Sequence, residues 1–225
     1  MEFYQGEIYH IYNRGNIHQK VFYERKNYLY FLKKMKRHLK PFCHILAWCL
    51  IPNHFHWLVK VKSQDEMNST AFSDSSITPF KSHNNRSNSS EIGVSLDETP
   101  LIELNKSIGV LLRSYTRAMN VTYGSKGSLF QQRTKSKNLN SGVTIRNNYA
   151  LICFLYITQN PVKHMLVKDT ASWEFSSYRD YAGLRNGRLC NKGLAEKLLN
   201  LPSNPVEFRT FIRQSLPDNY QDHIF

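Results

Sequence analysis

Two apolar, aromatic-rich runs, Cys43 to Leu50 and His54 to Val61, follow one another with only Ile51-Pro52-Asn53 between them. Runs of this length joined by so short a breaker predict a β-hairpin, and their nearly continuous hydrophobicity predicts a pair at the centre of a sheet. The rest of the chain has to be arranged around that pair. Upstream, Glu7 to Tyr12 is rich in β-branched and aromatic residues, with Ile8, His10 and Tyr12 on one face and Tyr9 and Ile11 on the other, before Asn13-Arg14-Gly15-Asn16 breaks the run.

Helical periodicity fills the intervals. From Lys26 to Lys40, Tyr28, Phe31, Leu32, Met35 and Leu39 recur at helical spacing while Lys33, Lys36, Arg37 and Lys40 hold the other face. Thr99 as N-cap and Pro100 at the first helical position announce a second helix, whose buried stripe is Leu104, Ile108, Leu111, Leu112, Tyr115 and Met119. A basic extended segment follows from Leu129 to Lys137, then a late helix from about Val143 until Pro161 forbids continuation. Ser63 to Glu98, dominated by Ser, Asn and acidic residues, reads as a flexible insertion. The expected architecture is α+β: a ferredoxin-like β-α-β-β-α-β antiparallel sheet with helices on one face, plus the late helix added on one face. One domain is expected to span 1–182, with the insertion at about 63–98. A C-terminal extension covers 183–225, where Leu194 to Leu199 followed by Pro202 and Pro205 suggests one short helix and a loop.

Charge narrows the partner. Lys and Arg number 30 against 17 Asp and Glu, a formal net charge of +13, and such an excess implies a polyanion, with nucleic acid first. A membrane is the other common polyanion, but no apolar run approaches the roughly 20 residues that span a bilayer, and Met1 to His10 lacks a signal-peptide pattern. Cys43, Cys49, Cys153 and Cys190 lie far apart without C-x-x-C spacing, which points to free thiols acting as small apolar fillers in a reducing cytoplasm.

In the second strand of the hairpin, His54 and His56 stand at i and i+2, so both imidazoles point to one face and two adjacent nitrogens can hold one metal ion. Phe55 and Trp57 project from the other face, where they can pack. An H-x-H pair also occurs in ordinary half-buried strands, so the pair alone leaves the question open.

The longer segment Ile51-Pro52-Asn53-His54-Phe55-His56-Trp57-Leu58 resembles the HUH motif of single-tyrosine transposases, and more closely the branch of REP-associated tyrosine transposases. Other segments carry the same resemblance in order: Tyr9-His10-Ile11-Tyr12-Asn13-Arg14-Gly15-Asn16 is similar to the opening strand, and Gly127-Ser128-Leu129-Phe130-Gln131-Gln132-Arg133 to a G-x-L-W-Q-x-R segment. Tyr156-Ile157-Thr158-Gln159-Asn160-Pro161-Val162-Lys163 and Trp173-Glu174-Phe175-Ser176-Ser177-Tyr178 follow the Y-I-x-x-N-P-V and W-x-x-S-S-Y blocks.

The resemblance implies that Tyr156, on the late helix, is the nucleophile and that Asn160 joins His54 and His56 as the third metal ligand. Residues at i and i+4 share a helix face, so Tyr156 and Asn160 can address one metal and one phosphate. A phenol with an ordinary pKa of about 10 needs help to attack at neutral pH, and a divalent ion, Mg²⁺ or Mn²⁺, would supply it. Two imidazoles suit Mn²⁺ or another transition ion better than Mg²⁺. Cleavage would leave a 5′-phosphotyrosine and a free 3′-hydroxyl, which allows joining to a different strand without ATP or any other nucleotide cofactor. The REP-associated branch is expected to act as a monomer.

Single-stranded or hairpin DNA is the expected partner. Arg14, Arg113, Arg117, Arg133, Lys135 and Lys137 are the expected DNA-binding residues; Lys126 and Arg146 also flank the site in sequence, and Tyr12 and Phe130 are aromatics that could stack on unpaired bases. His10, His18, His38, His44 and His164 read as surface or packing histidines. Tyr149, on nearly the same helix face as Tyr156, is the rival nucleophile but lacks the following Asn-Pro. Two other classes compete: a domesticated protein that binds DNA hairpins without cutting, and an RNA-binding protein, for which no RNP-type aromatic motif is visible.

Overall fold

A computed structural model of the chain describes residues 1–73, 101–140 and 149–213. Four strands form one antiparallel sheet in the order β2-β3-β1-β4, with β1 at Ile8–Arg14, β2 at Cys43–Ile51, β3 at His54–Val61 and β4 at Lys135–Asn138. With α1 (Arg25–Leu39) and α3 (Ile102–Tyr123) in the two crossovers, this is the ferredoxin-like α+β plan. Helix α2 (Gln64–Ser73) opens the segment that reads as a flexible insertion; the remainder of that segment, Thr99 and Pro100 lie outside the described residues, and α3 takes Leu101 as its N-cap.

The two faces of the sheet are divided by the alternation of β3. Phe55 and Trp57 point towards α1 and α3, where Phe31 of α1 packs within 5.5 Å of Phe55, 5.9 Å of Trp57 and 4.8 Å of Tyr115 between ring centroids. Phe31 is fully buried, and full burial of a side chain of this size contributes roughly 1.5–3 kcal/mol. All six residues of the expected α3 stripe are buried. The opposite face, carrying His54 and His56, is covered by α4 (Tyr149–Lys163), which packs on β2 and β3. The late helix therefore forms a layer of its own on the face opposite α1 and α3.

The hairpin differs from expectation in one respect: β3 and β1 are central and β2 is an edge strand. Its apolar character has another cause. The Trp173–Tyr178 segment runs along its outer side, where Leu50 N–H donates to Phe175 O and Ser177 N–H to Trp48 O, each at 2.9 Å, and Cys49 bridges Ser176. The edge is thus both hydrogen-bonded and buried by chain from far downstream, which removes an exposed pairing surface.

Pro161 does not end α4, which continues to Lys163. A proline three residues from the end removes only one ladder donor, and the buried face of α4, including Tyr156, Ile157 and Asn160, is held against the sheet. The expected start near Val143 lies outside the described residues. β1 also continues through Asn13 to Arg14, because Asn13 and Arg14 keep their pairing with Phe55 and His54. Beyond α5 (Tyr178–Tyr181) the described residues form two helices rather than one, α6 (Lys192–Leu199) and α7 (Pro205–Ile212). Pro205, which reads as a breaker, occupies the first turn of α7 behind the Asn204 cap, the position a helix tolerates best. Phe208 of α7 is fully buried and packs on Phe154, Tyr178 and Tyr181, so this region backs α4.

Candidate active site

Three elements converge behind the sheet. β3 supplies His54 and His56, β1 supplies His10 and Tyr12, and α4 supplies Tyr156 and Asn160. The Tyr156 ring lies 5.4 Å from His56 and 6.5 Å from His10, edge-on to both. His54 and His56 have ring centroids 4.9 Å apart. Tyr156, His56 and Asn160 are at most 2 % exposed, whereas His54 is half-buried. Exposed Arg14 and His164 stand at the His54 end: the His164 ring is 4.8 Å from that of His54, and the Arg14 charge acts on His54. The site therefore opens to solvent at His54.

Hydrogen bonds set the histidine nitrogens. His54 Nδ1 lies 2.8 Å from Asn53 Oδ1; a carboxamide oxygen can only accept, so Nδ1–H donates and the Nε2 lone pair is left for another use. His56 Nδ1 lies 2.9 Å from His10 Nε2. Burial, followed by the neighbouring His164 and Arg14, pushes the pKa of His54 down to about 3, and burial with His10, His54 and His164 around it holds His56 well below the ordinary histidine value. Both rings are neutral at physiological pH, the state in which imidazole binds a metal. Burial raises the Tyr156 pKa above that of an ordinary phenol, with a smaller contribution from Cys153.

Asn160 stands beside both His54 and Tyr156 and opposes part of the shift in each. Neither end of its carboxamide completes a well-aligned hydrogen bond among the described residues. A buried carboxamide that stands beside His54 and Tyr156 makes, with the two neutral imidazoles, a donor set that fits one divalent ion. Among the described residues no cluster of three His, Cys, Asp or Glu side chains is placed to hold a metal; an amide oxygen would have to be the third donor.

No protein-family model matches the chain, and no curated protein matches it by sequence. Among solved structures, a REP-associated tyrosine transposase bound to a REP hairpin is similar at 18 % identity, covering 82 % of this chain and 86 % of that one, with a TM-score of 0.48. At that distance the chemistry has to be argued from the residues themselves.

The basic residues separate into two groups. Lys135 and Lys137 of β4 pair with Tyr12 and His10 of β1, and directly paired residues share a face, so both lysines lie on the Tyr156 side. Lys135 Nζ stands 5.8 Å from the Tyr12 ring centre, and Lys137 acts on Cys153 of α4. Arg113 and Arg117 are on the other face, where with Lys126, Asn120, Gln131 and Gln132 they line a groove of about 840 Å³ without an acidic side chain. Arg133 is exposed just before β4. Phe130, expected to stack on bases, is 4 % exposed and belongs to the core; Tyr12 is half-buried and stacks on His10 at 4.7 Å.

Three residues of the site were passed over in the sequence. Lys163 holds its ammonium 5.0 Å over the Tyr156 ring; the signal was the spacing of seven, which returns to the same helix face. His10 and His164 read as packing or surface histidines, because only the pairing of β1 with β3 and the docking of α4 bring them to His56 and His54. Tyr149, the rival nucleophile, opens α4 seven residues earlier, about 10 Å back along the axis.

Proposed function

We propose that this chain is a metal-dependent transposase of the single-tyrosine kind, cutting and rejoining single-stranded or hairpin DNA through Tyr156. The observation that supports it best is the convergence of Tyr156 and Asn160 from α4 with His54 and His56 from β3 behind one sheet. In the proposed step the Tyr156 hydroxyl oxygen forms a bond to a backbone phosphorus and the bond from phosphorus to the 3′ oxygen breaks. The products are a 5′-phosphotyrosine and a 3′-hydroxyl, which receives the proton. Reversal with a different 3′-hydroxyl joins a new strand and releases the tyrosine.

Each residue has a task in that step. His54, His56 and Asn160 would hold a divalent ion, Mn²⁺ or Mg²⁺, whose chemistry when bound is to polarise the phosphate and stabilise charge on it. Asn160, beside the Tyr156 hydroxyl, favours the phenolate that burial opposes, and Lys163 would hold positive charge over the Tyr156 ring as a phosphate arrives. Lys135 and Lys137, on the same face, would take backbone phosphates, while Arg14 at the open end leads a strand towards His54. Arg113 and Arg117 would grip duplex or hairpin on the far face, with Arg133 between the two tracks. Tyr156 is 1 % exposed, so a strand reaches it only by displacing what covers it.

One observation favours a second reading, a protein that binds DNA hairpins without cutting: Tyr156 is only 1 % exposed. Labelled single-stranded DNA hairpins taken from the sequence flanking the gene, incubated with Mn²⁺ or Mg²⁺ and with wild type or Tyr156→Phe, separate the two. Metal-dependent cutting with a covalent protein–DNA adduct, absent in the variant, is the expected result. Tight binding by both proteins with no cutting by either would put the second reading in its place.

A further inference from the structure

His10 is fully buried, lies on β1 diagonally across from His56, and presents Nε2 to His56 Nδ1 at 2.9 Å with the rings 5.1 Å apart. Only one hydrogen fits between the two nitrogens. If His10 donates it, His56 must carry its own proton on Nε2, and that nitrogen can bind neither a metal nor any other acid. If His56 Nδ1–H donates to His10, the Nε2 lone pair of His56 is exposed to the site. The second pattern matches the neighbouring histidine: Asn53 Oδ1 has no proton to give, so His54 donates from Nδ1 and keeps its Nε2 bare.

We infer that His10 is a positioning residue which, by accepting the Nδ1 proton of His56, holds that ring in the tautomer and orientation whose Nε2 faces a divalent cation. The inference rests on the reading of His54 and His56 as metal donors and deepens it. Second-sphere acceptors of this kind orient ligating histidines and raise their basicity. Here the acceptor is a neutral imidazole in place of a carboxylate or a backbone carbonyl, so it orients the ligand without adding negative charge beside the phosphate. Tyr12, stacked on His10 at 4.7 Å, keeps the acceptor ring in its plane.

The test has two readouts that do not depend on cleavage. In metal-free protein labelled with ¹⁵N-histidine, the ring-nitrogen shifts report which nitrogen carries the proton; His56 is expected to be protonated at Nδ1. Mn²⁺ binding is then measured by calorimetry for wild type, His10→Gln and His10→Leu. Glutamine offers an amide oxygen at similar reach and is expected to keep affinity near the wild-type value, whereas leucine, with no acceptor, is expected to lose about 10–100-fold. A His56 protonated at Nε2 in the wild-type protein, a leucine variant that binds Mn²⁺ as tightly as wild type, or a glutamine variant as weak as leucine would each overturn the assignment. Thermal melts accompany the series, and if the leucine variant does not fold, the wild-type tautomer and the glutamine variant decide. Mn²⁺ binding unaffected by His54→Ala would remove the metal reading itself, while the tautomer of the metal-free protein still decides the role of His10.

Discussion

Acid should destabilise this protein through its site histidines before its carboxylates begin to titrate. In the unfolded chain His54 and His56 titrate near the ordinary value of 6.5, whereas in the fold burial pushes His54 down to about 3 and His56 well below 6.5. Between pH 7.5 and 5.5 the unfolded chain takes up protons that the folded chain refuses, so stability falls as pH falls and is insensitive to these two groups above pH 7.5. One pH unit below the unfolded pKa His54 alone costs about 1.4 kcal/mol, and His56 adds a loss of the same sign. Set against a total stability of roughly 5–15 kcal/mol for a domain, that loss is readily measured by urea unfolding in chelator at the two pH values. His54→Gln, which keeps a polar side chain but does not titrate, should lose about 1.4 kcal/mol less than wild type across the same interval. Burial also lowers the pKa of His38 and His164, and their contribution has the same sign in both proteins and cancels in the comparison. Equal losses for wild type and His54→Gln would refute the neutral-ring argument on which the donor set depends.

Arg117→Ala should weaken hairpin binding uniformly across sequences and reduce the slope of log affinity against log salt by about 1, read from anisotropy titrations between low and moderate salt. Lys135→Ala, on the Tyr156 face, should instead slow cutting more than it weakens hairpin binding, which single-turnover rates at saturating protein would show. The site is completed within one chain, so a mixture of His54→Ala and Tyr156→Phe proteins should remain inactive; restored cleavage would mean that the tyrosine helix is exchanged between two copies.

Much of the fold was legible because its signals are local. The 2-residue alternation of β3 separated His54 and His56 from Phe55 and Trp57, and the helical spacing of α3 predicted all six of its buried residues. The misreadings have physical causes of the opposite kind. Pro161 looked like a stop because the loss of one donor is a local cost, while the docking of α4 that outweighs it is tertiary. β2 looked central because its burial by Phe175, Ser176 and Ser177 comes from more than 120 residues downstream. Among the described residues no helix is long and apolar enough to cross a membrane.

The sequence by itself determined which residues can do chemistry: the H-x-H pair, the tyrosine with an asparagine one turn later, and an excess of cationic side chains. Those follow from side-chain type and from the periods of strand and helix, which are properties of neighbouring residues. Only the tertiary structure decided that α4 lies on the histidine face, that Lys135 and Lys137 share that face while Arg113 and Arg117 do not, and that His10 reaches His56. Strand pairing and layer choice are set by burial summed over the whole chain, and no local stretch of sequence contains that sum.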